Sequence, residues 1–280
     1  MSTGPHSTLA GRVCSQASGA LVVAPPPSLV RAVVSRLSAP PDASASDQAT
    51  GRVRLLCTEA AVRTAMVDFL TASGAADAVA DGRLAVRTVP SLDSSFTLAD
   101  GAVYAHVSIP ETQASEPTMP TGFGDVSGDD ESLYTALSAP YEQTWANADE
   151  YDPDVPPRSQ VVESFRERWP EAAETLAATF ASAETLRTDS AVDPVLVCTL
   201  VAARHRLLTM HLGEWVEDVG FSSRTEVSRA KGRLVDADLA DTEPETEGVG
   251  RPRHRLVPTA AVEQATGAEL LATARATLVE

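Results

Sequence analysis

The stretch from Asp193 to Pro258 admits few folds, because its apolar positions, caps and turn residues all demand the same order of elements. Asp193-Pro194 supplies an N-cap followed by proline at the first helical position. The run VLVCTLVAARHRLLTMH behind it is mostly apolar and predicts one buried helix reaching to His211. Leu212, Trp215, Val216 and Val219 recur at helical spacing, so Leu212–Val219 is a second, amphipathic helix. Gly220 permits a tight turn after it, and Phe221 plugs that turn into the core. Ser223 and Glu226 form a capping box for a third helix over Ser222–Leu234, whose inner face is Val227, Ala230 and Leu234. Ala240–Glu243 and Arg253–Val257 then read as paired strands joined by the loop Pro244–Gly250.

Buried helix, amphipathic helix, turn, capped helix and hairpin together predict a winged helix-turn-helix domain. In such a domain the N-terminal end of the last helix meets base edges in the major groove. The residues projecting there are Ser223, Arg224, Thr225, Ser228 and Arg229, with Lys231 and Arg233 further along. Arginine can pair bidentately with guanine, and serine or threonine can donate to bases or phosphates. Arg251, Arg253 and Arg255 fall on the descending side of the hairpin, where a wing would lie on the phosphate backbone. Four basic residues and one acid occupy Ser222–Leu234, and three arginines and no acid occupy Gly250–Val257. The chain as a whole has 39 acidic and 22 basic residues and a net charge of −17. Two adjacent basic islands on that background point to duplex DNA as partner. Solvated surface charge is the plainer alternative.

The acidic excess, with arginine far outnumbering the single lysine, suits a chain kept soluble by its own charge in a very salty cytosol. A high-GC genome with a merely acidic protein gives the same composition. Lys231 is followed by glycine, so the chain has neither a Walker lysine nor a convincing Schiff-base lysine. Cys14, Cys57 and Cys198 lie far apart, which argues against a zinc site or disulfide framework and for a reducing compartment. No signal peptide or membrane span is visible, so the expectation is a cytoplasmic protein without metal or cofactor.

The first half predicts an α/β domain with a mixed sheet and flanking helices. Ala20–Ala24, Arg52–Thr58 and Leu84–Val89 read as strands, Ser28–Leu37 and Glu59–Ser73 as helices. Asp100-Gly101 marks a hairpin between Phe96–Leu98 and Val103–Ile109. Ala39–Gly51 and Pro110–Gly128 are polar connections, followed by a helix near Asp130–Asn147 and an acidic break at Asp149–Pro157. Ser159–Trp169 and Glu171–Arg187 are two further helices. The domains expected are 1–150 (regulation or assembly), 151–192 (helical connector) and 193–280 (winged helix with a C-terminal helix). Thr259–Val279 carries an apolar stripe that packs either on its own domain or, slightly favoured, on a second copy. A dimer would read two half-sites about one helical turn apart.

Other motifs have bland readings. His106 begins H-x-S, not the H-x-K of phospholipase-D-like folds; His205 and His211 lack metal-ligand spacing on one helix face; Trp145 and Trp169 sit in helical patterns as packing anchors. Gly122-Phe123-Gly124 is no phosphate loop, and Gly74-Ala-Ala-Asp77 reads as a helix end. No nucleophile, base and oxyanion donor assemble in the first half, so an enzyme is a weak alternative, and a winged-helix protein adaptor is another.

The segments LVAAR, EWVEDVG, SRTEVSRAKGRL and VGRPRHRL closely resemble the C-terminal half of haloarchaeal TbsP-type transcriptional regulators, and DFLTASGAADAV resembles their N-terminal half more loosely. The resemblance implies a regulator of metabolic gene promoters. It carries the recognition role onto Arg224, Thr225, Ser228, Arg229 and Lys231, and the wing role onto Arg251 and Arg253. Ala237-Asp238-Leu239 departs from the Gly-Leu turn usual in winged helices. A small-molecule effector of unspecified chemistry is compatible with this reading.

Overall fold

The computed structural model describes residues 5–16, 18–38, 51–106, 131–187, 189–245 and 253–278. The chain divides into two compact units, Met1–Met66 with Gly74–Pro153, and Val67–Ser73 with Asp154–Glu280. The expected connections Ala39–Gly51 (Gly51 apart) and Pro110–Gly128, the latter containing Gly122-Phe123-Gly124, lie outside the described residues.

The first unit is built on a six-stranded mixed sheet. In chain order its elements are α1 (Pro5–Cys14), β1 (Ala20–Val23), α2 (Pro27–Ser38), β2 (Val53–Thr58), α3 (Glu59–Ala65), α4 (Phe69–Ala80, of which Phe69–Ser73 belongs to the second unit), β3 (Leu84–Val89), β4 (Phe96–Ala99), β5 (Ala102–Ala105), α5 (Glu131–Asn147) and β6 (Asp149–Glu150). The spatial order is β5-β4-β1-β2-β3-β6. β1, β2 and β3 are parallel, while β4, β5 and β6 pair antiparallel to their neighbours. Central β1 is buried along its whole length, which is why it reads as a continuous apolar run instead of an alternating one. Val22, Val53, Leu55 and Val86 share a core with α1, α2 and the apolar residues of α3 and α4. Leu21, Leu56, Phe96 and Leu98 meet Tyr141 and Trp145 of α5 in the other core, with Tyr141 edge-on to Phe96 at 4.8 Å. The result is helix, sheet and helix in three layers.

Asp100 (φ 48°) and Gly101 (φ 76°) both adopt positive φ, the two-residue geometry that matches strand twist. The distal part of the expected arm, with Val107 and Ile109, lies outside the described residues. His106, just past β5, is held in place by its ring nitrogens: Nδ1 lies 2.9 Å from Ser95 Oγ and Nε2 2.9 Å from Thr97 Oγ1.

Three local expectations change. The helix expected over Glu59–Ser73 is two helices, because Asp68 starts a new one: its carboxylate accepts from Thr71 N (2.9 Å) and Thr71 Oγ1 (2.8 Å). Gly74–Asp77 therefore lies inside α4 and does not end a helix. The acidic break starts with the short strand β6, and α1 had no expected counterpart.

The second unit comprises α6 (Arg158–Arg168), α7 (Pro170–Ser182), α8 (Pro194–Arg204), α9 (Thr209–Asp218), α10 (Arg224–Asp236), β7 (Ala240–Glu245), β8 (Arg253–Pro258), α11 (Ala260–Gln264) and α12 (Gly267–Leu278). The helices expected as a connector, α6 and α7, pack into its core through Val161, Phe165, Leu176 and Phe180. Phe165, Trp169, Trp215 and Phe221 form a chain of ring contacts, and Trp215 Nε1 donates to Ser164 Oγ at 3.0 Å. Phe69, from far upstream, completes it edge-on to Phe221 (5.1 Å) and tilted on Phe180 (5.7 Å). Asp68 Oδ1 fixes that segment by accepting from Leu186 N at 2.6 Å.

α8 is shorter than expected. Arg206 takes a positive φ of 54°, and a new helix starts at Thr209. The single C-terminal helix is likewise two, because Thr266 caps α12, its backbone N–H donating to Glu269 Oε2 at 2.8 Å. The slight preference for docking α12 on a second copy is corrected: Leu270, Leu271 and Ala274 are buried within the same chain. A Cβ at Gly267 would lie 2.8 Å from Ala178 C and Thr179 N, so α12 meets the backbone of α7 directly. Gly267→Ala should therefore cost about 1–3 kcal/mol of stability in urea unfolding, an overpacking penalty.

His205, at the end of α8, meets Thr175 Oγ1 at 2.9 Å. Burial, then the neighbouring Arg204, pushes its pKa below the ordinary 6.5. A depressed imidazole pKa penalises the charged form in the fold. Its stabilising contribution is intact above about pH 6.5 and is lost as pH falls from there toward the lower folded value. The urea midpoint of His205→Gln should fall less between pH 7.5 and 5.5 than that of the wild type.

Candidate nucleic-acid interface

α9 and α10 are set by a turn whose parts each have a local cause. Gly220 takes φ 69°, and Phe221 N and Ser222 N both donate to Val216 O, closing α9. Ser223 then caps α10, its Oγ accepting from Glu226 N at 3.3 Å. Val227, Ala230 and Leu234 are buried, as their spacing predicts. At Gly213 of α9 a Cβ would stand 3.1 Å from Arg224 Cγ, so glycine lets the first residue of α10 lie close against α9.

Arg224, Thr225, Ser228 and Arg229 are exposed at the N-terminal half of α10, and Lys231 is half-buried one turn on. Spaced at four and then three residues, Arg224, Ser228 and Lys231 form one row, with Thr225 and Arg229 beside it. At this end of the helix Arg224 N donates to Glu217 Oε1 at 3.2 Å, so a carboxylate already meets the partial positive charge of the helix start. Two arginines of the set carry built-in counter-ions. Arg224 Nε donates to Glu217 Oε2 at 2.6 Å, and Arg229 pairs with Glu226 on the preceding turn. All four side chains keep large solvent exposure, so each pair is worth only about 0–1 kcal/mol and is readily exchanged. Lys231 makes no ion pair among the described residues. The Glu226–Arg229 spacing was legible in the sequence, whereas Glu217 reaches Arg224 across a turn that no periodicity reports.

Two of the expected contact residues have work inside the fold. Arg233 donates to Asp193 Oδ2 at 2.6 Å and also to Ala191 O, tying α10 to the cap of α8. Arg255 binds Glu245 with both oxygens (2.6 and 2.7 Å) and donates to Arg206 O at 2.7 Å, clamping the β7–β8 ribbon. Leu256 N also donates to Leu207 O, which anchors the ribbon behind the helices. The hairpin tip at 246–252, with Arg251, and the side chain of Arg253 lie outside the described residues. Asp238 (φ 54°) supplies the left-handed turn usually given by glycine, and Leu239 N donates to Leu234 O at 2.9 Å. The departure at Ala237-Asp238-Leu239 thus leaves the turn intact.

The three thiols are buried. Burial raises Cys14 to about 11 and Cys57 to about 12, and raises Cys198 as well, so all stay protonated. Among the described residues there is no cluster of three or more potential metal ligands, and no helix is long and apolar enough to cross a membrane.

A buried helix, an amphipathic helix, a glycine turn and a capped, cation-bearing helix define a helix-turn-helix transcriptional regulator, joined here to a mixed α/β domain. The chain belongs to the TbsP-like transcriptional regulators: the family's N-terminal model matches residues 5–156 and its C-terminal helix-turn-helix model residues 157–275. No curated protein and no solved structure matches the chain significantly. Ser223→Ala should remove the cap and cost about 1 kcal/mol in thermal or urea unfolding, and the loss should appear in the free protein before DNA is added.

Proposed function

We propose that the protein binds promoter DNA sequence-specifically, with α10 in the major groove and the β7–β8 ribbon acting as a wing on the phosphate backbone. The observation that carries this reading is the exposed row at the start of α10: Arg224, Thr225, Ser228 and Arg229 with Lys231 behind them, on a chain of net charge −17. Arg224 and Arg229 read bases, Thr225, Ser228 and Ser223 adjust the helix end on phosphate or base, and Lys231, Arg251 and Arg253 contact phosphate. Arg233 and Arg255 act indirectly, by holding α10 and the ribbon in place. Metabolic genes are the targets suggested by the family resemblance, and a salty cytosol by the composition. A homodimer, as paired half-sites require, would use a surface other than the buried stripe of α12.

On binding, Glu217 and Glu226 hand their arginines to the DNA. This exchange costs little, and in unfavourable sequences the carboxylates repel phosphate. Arg229→Ala should cost about 1–3 kcal/mol on the preferred sequence and relax selectivity at one base position. A uniform loss over all sequences in a randomised-duplex selection would reassign Arg229 to phosphate. Arg251→Ala should weaken all duplexes alike and flatten the salt slope by about one. Glu226→Gln should tighten binding to every duplex and narrow the gap between specific and random DNA, read by fluorescence anisotropy. If wild-type protein fails to prefer any duplex in the selection, the adaptor alternative takes its place.

A further inference from the structure

The first unit holds a cleft of about 160 Å³ beside β3 and the last turn of α5, lined by Arg52, Arg54, Arg87, Trp145, Ala85 and Glu150 among others. Arg54 and Ala85 are register partners on neighbouring strands, and Arg87 follows two residues on, on the same face. Elsewhere that face is apolar, with Leu21, Leu56, Phe96 and Leu98 beneath α5. At its end two guanidinium groups instead flank one indole, the Arg54 and Arg87 Cζ atoms lying 5.6 and 5.2 Å from the Trp145 ring centroid. Ala85, the small residue between them, leaves the hollow.

Both arginines are held from the side. Arg54 makes a two-pronged pair with Glu142 (2.6 Å each), and Arg87 donates to Trp145 O at 2.7 Å and Glu150 at 2.8 Å. Neither arrangement exhausts the five N–H donors of a guanidinium. The carboxylates are themselves well exposed (48% and 82%), so they orient the arginines without strongly neutralising them. Arg52, exposed at the cleft, makes no ion pair among the described residues. Three arginines thus line one hollow, on a chain whose overall charge would favour acids there.

We propose that this cleft binds a small phosphate monoester. Arginine forks match phosphate oxygens bidentately, and a doubly charged ligand relieves the repulsion among the three cations. The volume suits a phosphate group carrying a short substituent. The site stands independently of DNA recognition, since every residue lining it belongs to the first unit.

The test is calorimetric titration of the full-length protein with glycerol 3-phosphate, inorganic phosphate, malonate and glycerol at one fixed potassium chloride concentration. Saturable one-site binding of glycerol 3-phosphate is expected, with malonate weaker and glycerol inert. Arg52→Ala and Arg87→Gln should each weaken it by about tenfold, while Arg63→Ala, on the exposed surface of α3, should leave it unchanged. Melting curves identify any variant that is unfolded, and Arg52→Ala, which removes no ion pair, serves as the decisive one. No saturable binding of either phosphate, or equal binding by Arg52→Ala, overturns the site. Equal affinity for malonate overturns the phosphate assignment. None of these outcomes depends on whether α10 reads DNA.

Discussion

The second unit is organised around a single indole. Trp215 is 1% exposed, and it contacts the rings of Phe165, Trp169 and Phe221 while its N–H is satisfied by Ser164. Burying an aromatic of this size is among the largest individual contributions available to a small domain. Its placement fixes α9 against α6, and Phe221 then fixes where the turn emerges. The direction of α10 follows from that turn and from the Ser223 cap. The exposed row of α10 is therefore positioned by a hydrophobic core that contains none of the residues proposed to touch DNA.

Electrostatics have the opposite character. The arginines of α10 are either paired with exposed carboxylates or, in the case of Arg233, drawn into the fold, which leaves Lys231 as the α10 cation without an ion pair among the described residues. In an acidic chain such pairing suppresses indiscriminate attraction to polyanions, because a phosphate must compete with a carboxylate already in place. The same logic distinguishes the ribbon, where Arg255 spends its guanidinium on Glu245 and a backbone carbonyl. Counting positive charges along the sequence overstates how many are available.

Legibility in the sequence followed the range of the interaction. The Asp100-Gly101 hairpin and the Asp193 and Ser223 caps rest on contacts within a few residues, while β1, β2, β3 and the inner face of α10 are marked by their own apolar patterns, and all stand as those patterns indicate. α8 ends earlier than its apolar run suggests because Arg206 breaks the helix in a left-handed conformation that its residue type does not advertise. The apolar spacing over Glu59–Ser73 does not show the break at Asp68, where one carboxylate oxygen caps α4 through Thr71 and the other is committed to Leu186, more than a hundred residues on. α12 was ambiguous for a related reason: its stripe specifies burial, but only the clearance at Gly267 identifies α7 as the neighbour. Among the α10 residues proposed to meet DNA, their faces are legible and their carboxylate partners only partly so.

The contribution of Val67–Ser73 to the second unit bears on how such regulators can be made and remade. Phe69 leaves the ribosome long before Phe180 and Phe221 exist, so the core it completes must wait for nearly the whole chain to be synthesised. A gene fusion joined at residue 157 would transplant the helix-turn-helix without that ring, leaving an uncovered aromatic surface. A transplanted helix-turn-helix would therefore need an upstream segment that carries a matching ring.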